Sequence, residues 1–592
     1  PSPLPKGEGA MRSPLLSCVS STPGCGYMSD HPSLPSPDYE GIFRACVAIG
    51  IGVLTFLVFS PVLGHAFLDA WDDNIAIMGN PDYNPATISK LVHYWVPPPR
   101  DEFFVPVMYT LWGLVSMGAR SPVTGGLNPA AFHALNLVAH SLAAVIVFLI
   151  LRRLVGKTWA AATGALVFAL HPIQAEAVAW ASSAYTPISG LLGLTAVLEF
   201  LKYFDARDQG DRRAARVHYS LAFAAFLLAM LTKPAAVSVP LIAGAIEVGF
   251  RGRKLRDLIL PLGAWVMVSV PIVIATRHGT RGATVGNFDL WQRAVVALDA
   301  TAFYLFKIFW PVRLSPDYGR SPGWVLGHPG VWVAGMIPVA IFVLMRAIRK
   351  RAAWLNGAGA VFMVALLPTL GLAPFNFQTF STVADRYAYL AMFGVAIVIA
   401  VLLSKVERAM AYRIGVSLVI AALAVMSARQ MSHWRNGWTL FDYTLRTNPQ
   451  SRIVSAQLGF MFTPASEAQC DLPARRIAGM ADLLMEQKRS NLAAHMYQMA
   501  IDRNGNDVAT RDGLARALIQ SEQLEQAAAT LAESIRTDPR DAEAHALLGD
   551  VLARKDIDAA RAEYRNALAI DPENVTAKRG AASLGPATQA GN

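Results

Sequence analysis

Three carboxylates crowd the end of the first long apolar run: Asp69, Asp72 and Asp73, in Phe67-Leu68-Asp69-Ala70-Trp71-Asp72-Asp73-Asn74, with Asn80-Pro81 close behind. Negative charge beside a hydrophobic segment, next to a Trp suited to a membrane interface, sits where burial costs most. A carboxylate held there can have a raised pKa, which suits it to take a proton from a hydroxyl. The alternative is a solvated loop that happens to be acidic. Two cations occupy comparable places. Lys233 ends one apolar run and Arg386 begins another, where each can meet a phosphate or lay its stem along an interface. His171-Pro172 with Glu176, and Asp317-Tyr318, complete the set of candidates. Positions i and i+5 need not share a helix face, so Glu176 reads as a site residue or an orienter and His171 as a cap or packing residue. Asp317 and Tyr318 could line a substrate path. None of the four cysteines, Cys18, Cys25, Cys46 and Cys470, makes a metal-ligand spacing, and a disulfide framework is not expected. No cofactor and no metal ligand set is assigned, and a divalent ion stays open, with Asp73 as its ligand or as a helper to Asp72.

What must position these groups is a set of membrane helices. The chain has 592 residues, 54% of them hydrophobic and 16% charged, and a mean hydropathy of +0.36. Over such a length these values describe a membrane-embedded protein with a soluble appendage. Apolar runs long enough to cross a bilayer lie at about 42–64, 130–151, 158–178, 186–204, 217–232, 234–250, 256–276, 329–346, 355–372, 385–404 and 410–428. The net charge of +10 comes largely from short basic runs between them, Arg152-Arg153, Arg207 to Arg216, Arg251 to Lys254, Arg346 to Arg351 and Lys405 to Arg413, which excludes nucleic acid as the natural reading. With about eleven crossings and a cytoplasmic N-terminus all five basic loops are cytoplasmic. The segment 290–311, with Arg293, Asp299 and Lys307, must then not cross. On that topology Asp72, Asp73, His171, Glu176, Lys233, Asp317 and Arg386 all reach the outer face.

The division expected is a segment 1–40, rich in Pro, Gly and Ser and outside the fold or preceding a true start at Met11 or Met28; a polytopic domain 41–428 with an outer loop 65–129; and a domain 429–592 beyond the membrane. The last part carries a repeat. Asp538-Pro539 and Asp571-Pro572 are 33 residues apart, and Leu548-Gly549, Ala560, Tyr564, Ala567 and Pro572 occupy the positions of a tetratricopeptide unit shortened by one residue. Leu514-Ala515, Ala527, Leu531 and Pro539 form the preceding unit, 473–505 a more degenerate one, and Pro464 to Pro473 a linker or insertion. The fold class is therefore all-α, a transmembrane helical domain followed by a soluble α-solenoid.

Several strings in order, Trp71-Asp72-Asp73 with Asn80-Pro81, Leu127-Asn128-Pro129 with Phe132-His133 and His140, Phe168 to Pro172 with Glu176, Leu231-Thr232-Lys233, Trp310-Pro311 with Asp317-Tyr318, Val383 to Tyr387, and Trp434-Arg435 with Thr439-Leu440-Phe441, resemble the polytopic tetratricopeptide membrane proteins of bacteria. Those in turn are similar to the animal transmembrane O-mannosyltransferases that carry the same repeats. The resemblance implies a GT-C glycosyltransferase fold, a polyprenyl-phosphate sugar donor, an exported protein acceptor held by the repeats in the periplasm, and transfer at the outer face of the bacterial inner membrane. It makes Asp72, first of the family's acidic pair, the catalytic residue, Asp73 its companion, and Lys233 and Arg386 the donor-phosphate ligands. Departures thin the polar site: Phe104-Val105-Pro106 lacks the Arg of the animal enzymes, Ser182 to Thr186 replaces charged residues after Trp180, and Pro234 replaces a Glu. A non-enzymatic scaffold assembling periplasmic complexes through its repeats is the reading from a different class.

Overall fold

The structure is a computed structural model describing residues 39–97, 103–121, 125–279, 288–406, 410–505 and 507–585. Almost all of the segment 1–40 lies outside these residues. The chain divides into a short unit, Pro1–Arg44, and a second one, Ala45–Asn592. In the first, the described residues open helix α1 (Tyr39–Phe59), where the Arg44 guanidinium donates to the Glu40 carbonyl. All that follows belongs to the second unit.

The regular structure of the described residues is helical, with two isolated bridges, Tyr83 with Ala86 and Arg120 with Leu127, and no strand. After α1 come α2 (Pro129–Val155), α3 (Thr158–Leu170), α4 (Tyr185–Asp208), α5 (Arg212–Thr232), α6 (Val239–Arg251), α7 (Leu255–Gly279), α8 (Leu290–Phe309), α9 (Pro329–Ala347), α10 (Ala353–Leu366), α11 (Ala391–Ser404) and α12 (Met410–Ser432). Eight of these, α1, α2, α4, α5, α6, α7, α9 and α12, are long and apolar enough to cross a membrane when the short turns that continue some of them are counted, whereas α3, α10 and α11 are shorter apolar helices. Apolar side chains cover their outer surfaces, among them Ile49, Val53, Leu260, Met267, Val333, Phe342 and Leu418, all exposed. Water would penalise such a belt and lipid accepts it. This is a multi-pass membrane protein.

Local signals set the ends. Asn128 accepts from the Ala130 amide at 3.1 Å ahead of Pro129, and Gly156, at φ 72°, closes α2 in the left-handed region that a side chain would disfavour. Asp211 accepts from the Arg213 and Ala214 amides to start α5. The basic loops come together at one end of the bundle, where Lys157 meets the Ser404 carbonyl and Lys405 lies 4.9 Å from the Trp354 ring centre. There Arg153 and Arg251 share Asp205, and Arg253 joins Asp208 and the buried Glu247. Glycines let neighbours approach closely: a Cβ on Gly394 of α11 would stand 2.8 Å from the Phe362 amide nitrogen of α10, and one on Gly249 of α6 2.6 Å from the Gly357 Cα.

Beyond α12 an amphipathic neck helix, α13 (Gly437–Thr447), leads through two short helices, Arg452–Gln457 and Pro464–Ala468, to seven longer ones: α14 (Ala474–Glu486), α15 (Ser490–Asp502), α16 (Val508–Gln520), α17 (Leu524–Thr537), α18 (Ala542–Leu552), α19 (Ile557–Ile570) and α20 (Val575–Ser583). The repeat has a visible physical basis. Tyr497 of α15 lies over Gly513 of α16 and donates to Asp482 at 2.5 Å, and Tyr564 of α19 lies over Gly549 and Gly580 and donates to Asp550 at 2.6 Å. The stretch read from sequence as a linker or insertion, Pro464 to Pro473, is part of the packed base. Thr463 caps a short helix, Pro464–Ala468, Trp438 donates to the Ser466 carbonyl at 2.8 Å, and Cys470 and Leu472 are buried.

Candidate active site

The end of the bundle opposite the basic loops gathers residues from six separated stretches. Asp72 follows Trp71 at the start of a short helical segment that runs into a π-turn, Asn74–Met78. Its neighbour Asp73 is fully buried and holds this loop to the next wall of the site. One carboxylate oxygen accepts from the Leu68 amide at 2.9 Å and the other from the Ser182 amide at 2.7 Å. The two aspartates therefore point to different environments. Asp72 opens to solvent, yet burial is the main cause raising its carboxyl above the ordinary range, with the Arg386 charge pulling it back down. Together these mean a recess, wet at its mouth and walled by protein. Burial likewise pushes Asp73 up, to about 6, against the two amide bonds that favour its ionised form.

Arg386 lies in the turn Asp385–Ala388 just before α11 and is 5% exposed, so it does not snorkel to an interface. Its guanidinium pairs with Glu176, its own amide donates to the same carboxylate at 2.9 Å, and a further nitrogen reaches the Tyr387 hydroxyl at 3.3 Å. The Trp180, Phe377 and Tyr387 rings surround it at 5.3, 4.4 and 4.8 Å. Glu176, 1% exposed on the short helix Ala175–Ala179, is thus the orienter of Arg386. Buried beside a carboxylate, Arg386 stays charged at every accessible pH. Lys233 ends α5, donates to the Thr186 hydroxyl at 2.9 Å and sits 5.0 Å from the Tyr185 ring centre. Burial first, then the Arg386 charge, lower its ammonium to about 7, while Glu176 opposes the shift.

Arg386 is thus within electrostatic reach of Asp72, Glu176 and Lys233, and Tyr185 and Tyr387 feel Arg386, Asp72 and Glu176. The other candidates lie further back. His171 caps the turn Pro172–Gln174: its Nδ1 accepts from the Ile173 amide at 3.2 Å, and its Nε2 is 3.0 Å from the Ile308 carbonyl. Tyr318 donates to Asp385 at 2.7 Å, and Asp317 accepts from the Gly319 amide at 2.8 Å and the Ser451 hydroxyl at 2.6 Å. Asp317 therefore ties the loop after α8 to the base of the repeats. Asp385, beside Arg386, was not singled out from sequence as a site residue. It is buried, its carboxyl is raised well above the ordinary range by burial and by Glu176, and only its place in the string Val383 to Tyr387 signalled it. Thr186 and Tyr185 were noted in sequence only as losses of charge.

Both Asp73 oxygens face amide N–H groups, and among the described residues no three His, Cys, Asp or Glu side chains are grouped to hold a metal.

Residues 484–551 match the family model of the tetratricopeptide repeat. The chain is similar to the protein O-mannosyl-transferase Tmtc2 of Drosophila melanogaster, 27% identical over 287 residues that make up 45% of this chain and 30% of that protein. It is 26% identical to Tmtc1 of the same organism, over 51% of this chain and 37% of the relative. The human protein O-mannosyl-transferase TMTC3 is 24% identical over 453 residues, 68% of this chain and 47% of the relative. The matches span between about a third and a half of these relatives' length.

Proposed function

We propose that the chain is an inverting glycosyltransferase of the GT-C class, dividing at about 428/429 into a membrane domain and a periplasmic repeat domain, in the inner membrane of a bacterium. It moves a sugar from a polyprenyl-phosphate donor to Ser or Thr hydroxyls of exported proteins. The observation that carries this reading is the recess in which a solvent-open carboxylate, Asp72, feels the fixed positive charge of Arg386, a charge that Lys233 feels as well. The similarity to proteins named O-mannosyl-transferases supports the reaction type.

The chemistry follows from the charges. The Asp72 carboxylate takes the proton of the acceptor hydroxyl as its oxygen bonds to the anomeric carbon. The bond from that carbon to the phosphate oxygen breaks on the opposite side, and the departing polyprenyl phosphate keeps the electron pair. Negative charge grows on the phosphate, where a preplaced cation lowers the barrier most. Lys233, partly exposed and with its ammonium donating to the Thr186 hydroxyl, makes the direct contact. Arg386 supplies its field from behind the Glu176 pair. Asp73 is the loop's anchor and takes no part in proton transfer.

Mass spectrometry of exported proteins from cells with and without the gene tests the reaction class. The expected result is a sugar mass on Ser or Thr peptides that is missing without the gene. Identical peptide masses in both, with a growth defect cured by repeats carrying an Asp72→Asn membrane domain, would favour the scaffold.

A further inference from the structure

The neck that joins the repeats to the membrane domain does not merely hang from α12. Its aromatic residues enter the wall of the recess. Trp434 stacks on Trp180 at 6.1 Å and 25°, Trp180 meets Trp71 edge-on at 6.1 Å and 90°, and Trp71 packs against Phe441 at 5.6 Å. All four rings are 5% exposed or less. The tier touches both partners of the proposed reaction. Trp71 is the residue before Asp72, and Trp180 lies 5.3 Å from the Arg386 guanidinium. The Ala66 amide donates to the Arg435 carbonyl at 2.9 Å, so the acidic loop is pinned to the neck by its backbone as well. A Cβ on Gly437 would stand 3.4 Å from an Asp69 oxygen, so neck and loop are in contact along this edge.

From this geometry we infer that Trp434 and Phe441 are positioning residues, acting through Trp180 and Trp71 to hold the side chain at position 72 towards Arg386. The inference rests on the proposed reaction only for its consequence; the placement itself is a property of the fold. Buried aromatic contacts transmit position because a packed core has few alternative arrangements, and removing one ring leaves a gap into which its neighbour moves. Without Phe441, Trp71 is supported on one side only, and the Asp72 backbone moves with it. Groups that set the charge felt at position 72 are Arg386, Asp73, Tyr185 and Tyr387, with Glu176 paired to Arg386. None of these belongs to the neck, so a neck substitution reaches position 72 only by moving it.

A thiol at position 72 reports that movement directly, because thiolate formation is favoured by a nearby guanidinium. The experiment uses the full-length chain in lipid nanodiscs, with Asp72→Cys and the four natural cysteines changed to serine, and measures the rate of iodoacetamide alkylation against pH. The titration midpoint is expected to rise by about one pH unit on adding Phe441→Ala or Trp434→Ala, the size of a lost charge contact near a partly exposed site. Phe441→Tyr, which keeps the ring, is expected to restore it. Phe441→Leu, which keeps most of the volume and so the fold, is expected to give a smaller rise in the same direction. Midpoints that stay the same in Phe441→Ala, Phe441→Leu and Trp434→Ala would overturn the inference. A parallel transfer assay on Asp72→Asn separates the two ideas. If transfer persists while the midpoint moves, the reading of Asp72 as base fails and the positioning stands. If transfer is lost while the midpoint is fixed, the positioning fails and the base stands.

Discussion

Adjacent aspartates with the same side chain do different work here, and the difference can be measured. Asp73 spends both oxygens on buried amides. In Asp73→Asn one of the two N–H groups loses its acceptor and faces an NH2. The expected cost is about 1–3 kcal/mol, read as a lower unfolding temperature of the solubilised chain. Asp72→Asn, in a solvent-open position, is expected to unfold within about 0.5 kcal/mol of the parent. The pH dependence follows from the same residues. Asp72 must be unprotonated, and its carboxyl is raised, so kcat/KM climbs with pH through a midpoint above the ordinary carboxylate value. Lys233 must be protonated, and its ammonium is lowered to about 7, so the rate falls again as pH passes about 7. A bell with its descending limb near 7 is expected. Lys233→Arg, which stays charged, is expected to remove that limb, and a profile flat above pH 6 in the parent would contradict the role of Lys233. The sequence made Asp72, Asp73, Lys233 and Arg386 visible because charges beside apolar runs stand out. It could not tell the Asp73 anchor from the Asp72 opening, nor show that Glu176 pairs with Arg386, because both facts depend on contacts 109 and 210 residues apart in the chain.

At the scale of elements, the helices were legible because a bilayer-length apolar run admits little else. Each of the eleven runs read from sequence contains a helix, but eight are long enough to cross, the run 158–178 breaks after Leu170 and the helix in 385–404 starts only at Ala391, while the segment 290–311, with its Arg293, Asp299 and Lys307, is absent from the eight long apolar ones. What sequence missed was how closely the helices approach, since a glycine in an apolar run gives no hint of what faces it. Gly394 and Gly415 make the comparison. A methyl on Gly394 would meet backbone atoms of α10 at 2.8 and 2.9 Å, whereas one on Gly415 would meet nothing within 4 Å. Gly394→Ala is expected to destabilise by about 1–3 kcal/mol and Gly415→Ala to be neutral or slightly stabilising. Thermal unfolding of both variants in the same detergent checks this. The base of the repeats was less legible: Pro464 to Pro473 has the composition of a linker or insertion, and Trp438 and Thr463, outside that stretch, are what order it.

The whole molecule joins the candidate site to a solenoid through a short neck. If the repeats present the acceptor, damage at their far end should leave the chemistry intact. Tyr564 packs on Gly549 and Gly580, and Tyr564→Ala removes the ring that holds the last helices together, a change worth about 3–5 kcal/mol locally. The expected result is a raised KM for a protein acceptor, with donor hydrolysis to water unchanged. Equal KM values would mean that the repeats do not present the acceptor. The account as a whole stands on Asp72 as the base. In nanodiscs supplied with a labelled polyprenyl-phosphate sugar and a Ser- and Thr-rich peptide, Asp72→Asn is expected to lower transfer by at least about 100-fold, the usual worth of a general base, while the folded protein is recovered in full. Transfer by Asp72→Asn within a few-fold of the parent would contradict it.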